Sequence, residues 1–151
     1  MSHLDFKKMS AHKGPKQSPG FLLWHISTSW RSRIETVLKT LSLTHPQFVV
    51  LATLGWLTRH GDLVTQRHIG NLAGLDPNTT SQIIKGLEKK GFIQREPSSD
   101  SRAKNPKLTS KGKELLNKSL PAVENADAQF FKMFSPNELE ILVNLFQKII
   151  D

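Results

Sequence analysis

Between Thr65 and Lys113 the chain is punctuated so closely that few folds are open to it. Thr65 is a suitable helix N-cap, and the segment it opens runs only to Ala73, with Ile69 and Leu72 expected to face inward. Gly74 supplies a turn, being free to take a positive φ. Asp76-Pro77 starts the next helix, Asp76 as N-cap and Pro77 in the first position, where no N–H partner is needed. Thr80, Ile83, Ile84 and Leu87 recur on one side of that helix, and Gly91 ends it. Phe92–Glu96 and Lys107–Thr109 read as short strands around the polar loop 97–106. A hairpin this small must pack on the helix before it.

Helical segments flank this stretch on both sides. Phe21 to about Leu41 carries Leu22, Leu23, Ile26, Trp30, Ile34, Val37 and Leu38 at helical spacing. Thr44-His45-Pro46-Gln47 is a capping-box start for a helix filled by Phe48, Val49, Leu51, Ala52, Leu54 and Leu57, with Gly61-Asp62 closing it. A further helix is expected from Ser110 to about Met133, bent near Pro121. The last opens at Ser135-Pro136-Asn137-Glu138 and places Leu139, Leu142, Leu145, Phe146 and Ile149 on one stripe. Residues 1–20 are polar, with Gly14, Pro15, Pro19 and Gly20, and read as a flexible basic arm. The expected fold is mainly α with a small β-wing (α+β): a winged helix-turn-helix.

Charge placement narrows the partner. The chain carries a net +8, yet residues 85–113 hold nine cations against three carboxylates, whereas residues 121–151 hold two against five. A charge run is commonly no more than a solvated face. Set beside a helix-turn-helix, it suits a polyanion, because each neutralised phosphate releases condensed counterions. Cysteine is absent, which excludes disulfides, thiolate metal sites and redox-sensing thiols and fits a cytoplasmic location. No apolar run approaches the roughly 20 residues of a membrane span, and the Lys-containing N-terminus lacks the apolar run of a signal peptide.

The 77–90 helix is the natural reading element. Removing its apolar side leaves Asn78, Thr79, Ser81, Gln82 and Lys85 outward, compact groups able to meet base edges in a major groove. Gln82 matches an adenine edge, the Thr79 methyl matches a thymine methyl, and Lys85 reaches phosphate. Thr79, Ser81 and Gln82 are equally ordinary surface residues until the basic hairpin beside them is considered. Thr65 and Gln66 open a helix whose free N–H groups face phosphate. Arg95, Arg102 and Lys104 lie on the hairpin. Arg102 suits a narrow A·T-rich minor groove, where the potential is most negative, and Lys104 suits phosphate.

The chain resembles the MarR family of bacterial transcriptional regulators. The resemblance is carried by Leu43-Thr44-His45-Pro46-Gln47-Phe48-Val49-Val50-Leu51, Leu75-Asp76-Pro77-Asn78-Thr79-Thr80-Ser81-Gln82, Leu87-Glu88-Lys89-Lys90-Gly91-Phe92-Ile93, Asp100-Ser101-Arg102, and Leu108-Thr109-Ser110-Lys111-Gly112. It implies a homodimer joined by the N- and C-terminal helices, with 21–43 and 110–151 as the dimerisation region and 44–109 as the DNA-binding domain. It also implies a pseudo-palindromic operator in double-stranded DNA, a repressor role, and release of DNA by a small aromatic or phenolic effector. Gln82 stands where relatives often have Arg, and Ser98-Ser99 precede Asp100 in place of the commoner acidic and proline pattern.

Other functional classes find less support. Trp24, His25, Trp30 and Trp56 are candidates for lining an effector pocket, and equally suit plain core or dimer contacts. The six histidines form no His-x-x-x-His pair, so no metal site is expected, and no cofactor is required. There is no Gly-rich phosphate loop, nucleophile motif or carboxylate pair, so an enzyme is not expected. A sequence-neutral, architectural nucleic-acid-binding protein is the alternative. It would show stacking aromatics within the basic surface, where only Phe92 occurs.

Overall fold

A computed structural model describes residues 3–97 and 104–151. Its helices are α1 (Phe6–Met9), α2 (Pro19–Lys39), α3 (His45–Leu57), α4 (Gln66–Ala73), α5 (Pro77–Lys89), α6 (Ser110–Phe130) and α7 (Pro136–Ile150). The strands β1 (Ile93–Pro97) and β2 (Lys104–Leu108) pair antiparallel, with Ile93 opposite Leu108 and Arg95 opposite Pro106. The segment expected to be a flexible arm holds α1 and a 3-10 turn at Pro15–Gln17.

The helix starts follow from side-chain acceptors placed where backbone N–H groups lack partners. Thr44 accepts from the Gln47 N–H while the Gln47 side chain accepts from the Thr44 N–H. Ser135 and Glu138 repeat that reciprocal pair on α7. Thr65 does the same with His68, an imidazole taking the part usually played by Glu or Gln.

One buried cluster joins the elements. Ile34 and Leu38 come from α2, Phe48, Val50, Leu51 and Leu54 from α3, Ile69 from α4, Ile84 and Leu87 from α5, Ile93 and Leu108 from the strands, and Val123 from α6. Leu72 does not join it: it is 57% exposed, contrary to the inward position expected of it. Ile69 and Leu72 lie three apart on adjoining rows of this two-turn helix, and only Ile69 reaches the core. The second strand also begins three residues earlier than expected and includes Pro106. A two-stranded ribbon has two free edges, so a residue without an N–H is tolerated there.

Two helices are left half-covered. The buried residues of α2, Ile34 and Leu38, both lie in its C-terminal half, while Phe21, Leu22, Leu23, Trp24 and Ile26 are exposed. None of α7 is buried, and Ile141, Val143, Leu145, Phe146, Ile149 and Ile150 face outward. Apolar surface of this extent marks an interaction face.

The tightest approach in the fold joins α6 to the turn after α5. An added Cβ at Gly112 would collide with the Phe92 backbone carbonyl. Neither partner is a flexible side-chain end, so Gly112→Ala should cost about 1–3 kcal/mol. Thermal denaturation followed by circular dichroism should show the midpoint lowered by about 5 °C; an unchanged midpoint would mean that the two segments separate freely.

Candidate nucleic-acid interface

The α4–α5 pair is held at a close crossing by small groups. A Cβ on Gly70 would lie 2.8 Å from Thr80 Oγ1 and 3.2 Å from the Leu75 carbonyl. The intervening Gly74 is left-handed at φ 69°, and Leu75 N–H returns to the Gly70 carbonyl at 2.9 Å. Thr80 is buried and donates to the Asp76 carbonyl at 2.8 Å. Beneath the crossing, Ile69 meets the core side of α5 through Ile84 and Leu87.

This seating leaves one row of α5 facing solvent. Asn78, Gln82 and Lys85 are exposed, and their spacing of four and then three places them on one helix face. Thr79 and Ser81 are only half-exposed. The Thr79 hydroxyl donates to Asp76 Oδ2 at 2.6 Å, while the Thr79 N–H donates to Asp76 Oδ1 at 2.9 Å. Those two bonds hold the Asp76 carboxyl below its usual range. The Thr79 hydroxyl is thus already committed, and the methyl is the part of this side chain left without a polar partner. Thr65 is exposed and Gln66 half-buried at the start of α4.

Arg95 is turned back toward α5. Its Nε lies 3.3 Å from Glu88 Oε2, joining α5 to the first strand. Lys107 pairs in the same manner with Glu96 across the hairpin. Sequence reasoning missed Glu88 because its partner lies beyond the turn at Gly91, a geometry that no helical or strand spacing announces. Arg102 and the side chain of Lys104 lie outside the described residues.

The candidate pocket residues separate. Trp24 and His25 border one shallow groove on α2, together with Thr28, Ser29, Ser32 and Arg33. Trp30 is instead tied into the body: its Nε1–H donates to Asp127 Oδ1 at 2.6 Å, and its ring lies 5.0 Å from that of His45. Trp56 is exposed at the end of α3, where the Arg59 guanidinium covers its ring at 3.6 Å. Among the described residues no cluster of three or more His, Asp or Glu side chains is placed to hold a metal, and no helix is long and apolar enough to cross a membrane.

An HTH-type transcriptional regulator of Bacillus subtilis, YdcH, is 38% identical over 123 residues, covering 81% of this chain and 84% of the relative. The chain belongs to the MarR family. The family's model matches residues 43–104, from the start of α3 to the second strand. MarR-family structures share the fold. CouR from Rhodococcus jostii, bound to p-coumaroyl-CoA, superposes with a TM-score of 0.82 at 22% identity, covering 92% of this chain and 96% of that one. BpsR of Bordetella bronchiseptica, whose DNA binding is regulated by 6-hydroxynicotinic acid, gives 0.82 at 22% identity over 94% and 98%. A Mycobacterium tuberculosis MarR family protein in complex with DNA gives 0.67 at 21% over 87% and 97%. The chain is therefore a DNA-binding transcriptional regulator of winged-helix architecture.

Burial and the nearby Arg31 charge lower the pKa of His45, against smaller opposing effects of Glu35 and Asp127. The folded state thus takes up its proton less readily than the unfolded chain, whose imidazole titrates near pH 6.5. The stabilisation is complete above that pH and is lost as pH falls through the unfolded value toward the folded one. Urea denaturation between pH 7.5 and 5 should show this loss, and His45→Gln should flatten it. An equal slope in both proteins would remove His45 as the cause.

Proposed function

We propose that this MarR-family regulator acts in the cytoplasm as a homodimeric repressor that reads a pseudo-palindromic operator with α5. The observation that carries the reading is the exposed Asn78–Gln82–Lys85 row, presented on a rigidly seated helix beside a basic hairpin. Asn78 and Gln82 carry amides able to donate and accept at a base edge, and Lys85 supplies a phosphate contact. Arg102 on the wing is assigned to the adjacent minor groove and Lys104 to phosphate. Thr65 and Gln66 are assigned to the backbone at the start of α4, while Arg95 acts on DNA through its hold on the hairpin. Selection of bound duplexes from a random library tests the assignment. Two half-sites about 10 base pairs apart are expected; equal binding of selected and random duplexes at physiological salt would reject it.

The uncovered apolar faces of α2 and α7 support the homodimer. A second copy would cover them and fix the separation of the two reading helices. Removing residues 135–151 should convert the protein to monomers in sedimentation and weaken operator binding at least a hundredfold. A dimer surviving the cut would place the interface elsewhere.

An aromatic acid is the proposed effector. Relatives of this fold are bound to p-coumaroyl-CoA or p-aminosalicylic acid, or are regulated by 6-hydroxynicotinic acid. In this chain the groove at Trp24 and His25 includes Arg33, whose guanidinium can meet a carboxylate. Titration with 6-hydroxynicotinic acid should quench tryptophan emission and release the operator, and Trp24→Ala should abolish both. Release without any change in emission would move the effector away from Trp24. The sequence-neutral alternative finds no stacking platform among the described residues of the basic stretch: Phe92 packs on the core with Lys111 over its ring at 5.0 Å.

A further inference from the structure

The turn that ends α5 is gripped by the first residues of α6. Three successive backbone carbonyls are involved, those of Lys90, Gly91 and Phe92. Lys111 Nζ donates to the Lys90 carbonyl at 3.2 Å, Thr109 Oγ1 donates to the Gly91 carbonyl at 2.6 Å, and the Thr109 N–H donates to the Phe92 carbonyl at 3.0 Å. Gly91 is left-handed at φ 81°, and Gly112 has no side chain to push the Phe92 carbonyl away. Thr109 also caps α6, its Oγ1 accepting from the Gly112 N–H at 3.0 Å. One hydroxyl therefore accepts from its own helix and donates to the far end of another.

We propose that Thr109 is a positioning residue for DNA recognition, setting the tilt at which α5 enters the major groove. The proposal rests on α5 being the reading helix. A helix of 13 residues is about 20 Å long, so a tilt of about 10° at its C-terminal end moves its N-terminal residues by roughly 3 Å. That displacement exceeds what a base-edge hydrogen bond tolerates. The N-terminal half of α5 is seated on α4 through Gly70 and Thr80. Its other end is held by Thr109, Lys111 and the Glu88–Arg95 pair. Farther along α6, Asp127 accepts the Trp30 hydrogen bond from α2. A shift of α6 against α2 therefore reaches the reading helix at Thr109.

Capping and positioning are separable by chemistry. Aspartate caps a helix as well as threonine does, since capping needs only an acceptor. An ionised carboxylate has no hydrogen to give the Gly91 carbonyl. Serine supplies both. The full-length protein is measured against its selected operator and a scrambled duplex at one salt concentration. The readout is the ratio of the two affinities, which divides out the uniform effect of an added charge. Thr109→Ser should keep the ratio within twofold of the unmodified protein. Thr109→Asp should lower it at least tenfold while the thermal midpoint stays close to that of Thr109→Ser. A ratio retained in Thr109→Asp overturns the proposal and reduces Thr109 to a cap. Gln82→Ala tells this failure from that of the reading beneath it. A ratio lost in Gln82→Ala but kept in Thr109→Asp rejects the positioning role and spares α5 as reader; a ratio kept in both rejects the two together.

Discussion

The contact on which the rest of the molecule depends is the seating of α6 against the turn after α5. It is made largely of backbone, with Gly112 facing the Phe92 carbonyl and the Thr109 N–H bonded to the same carbonyl, and the Thr109 hydroxyl adds a bond to the Gly91 carbonyl. Backbone contacts have little slack, because no rotamer can change to absorb a displacement. Helix α5, the hairpin that leaves this turn and the long helix that leads to the apolar C-terminal region therefore meet at one point. The core cluster lies beneath, with Leu87, Ile93 and Leu108 drawn from the same junction.

The chemistry of the interface follows from what this seating exposes and what it consumes. Several polar groups around α5 are already engaged inside the protein: the Thr79 hydroxyl is bonded to Asp76 and Thr80 to the Asp76 carbonyl, while Arg95 is ion-paired with Glu88. They give α5 and the hairpin a fixed shape. Asn78, Gln82 and Lys85 are left exposed, in a single row. Under the proposed reading by α5, separating the groups that hold the helix from those that meet DNA lowers the ordering cost on binding, since the row is presented before the partner arrives. The remaining apolar faces, on α2 and α7, lie on helices outside the α4–α5 pair.

Legibility in the sequence tracked the range of the interaction. Four helix starts rested on a contact within three residues, and Thr44, Thr65, Asp76 and Ser135 all cap as their neighbours imply. The buried side of α5 was legible because its period repeats within four residues. The hairpin register was not, since Pro106 looks like a strand breaker until the strand proves to be half of a ribbon with free edges. Leu72 misled for a related reason, because eight residues give too few turns to say which of two apolar positions meets the core. The Trp30–Asp127 bond, 97 residues apart, had no local signal at all.

The sequence by itself determined the order of helices from α2 onward, the capped starts of α3, α4, α5 and α7, the turn at Gly74, the stop at Gly91 and the concentration of positive charge around α5. These depend on backbone donors, φ angles and formal charges that sit close together in the chain. The tertiary structure alone decided which polar groups remain free. Whether Arg95 or Gln82 faces outward unpaired depends on what the neighbouring element brings within 3 Å or so, the reach of a polar contact. A side chain's type states what it can bond. Only the packing of α4, α5, the hairpin and α6 states what it has already bonded, and so what is left to meet DNA.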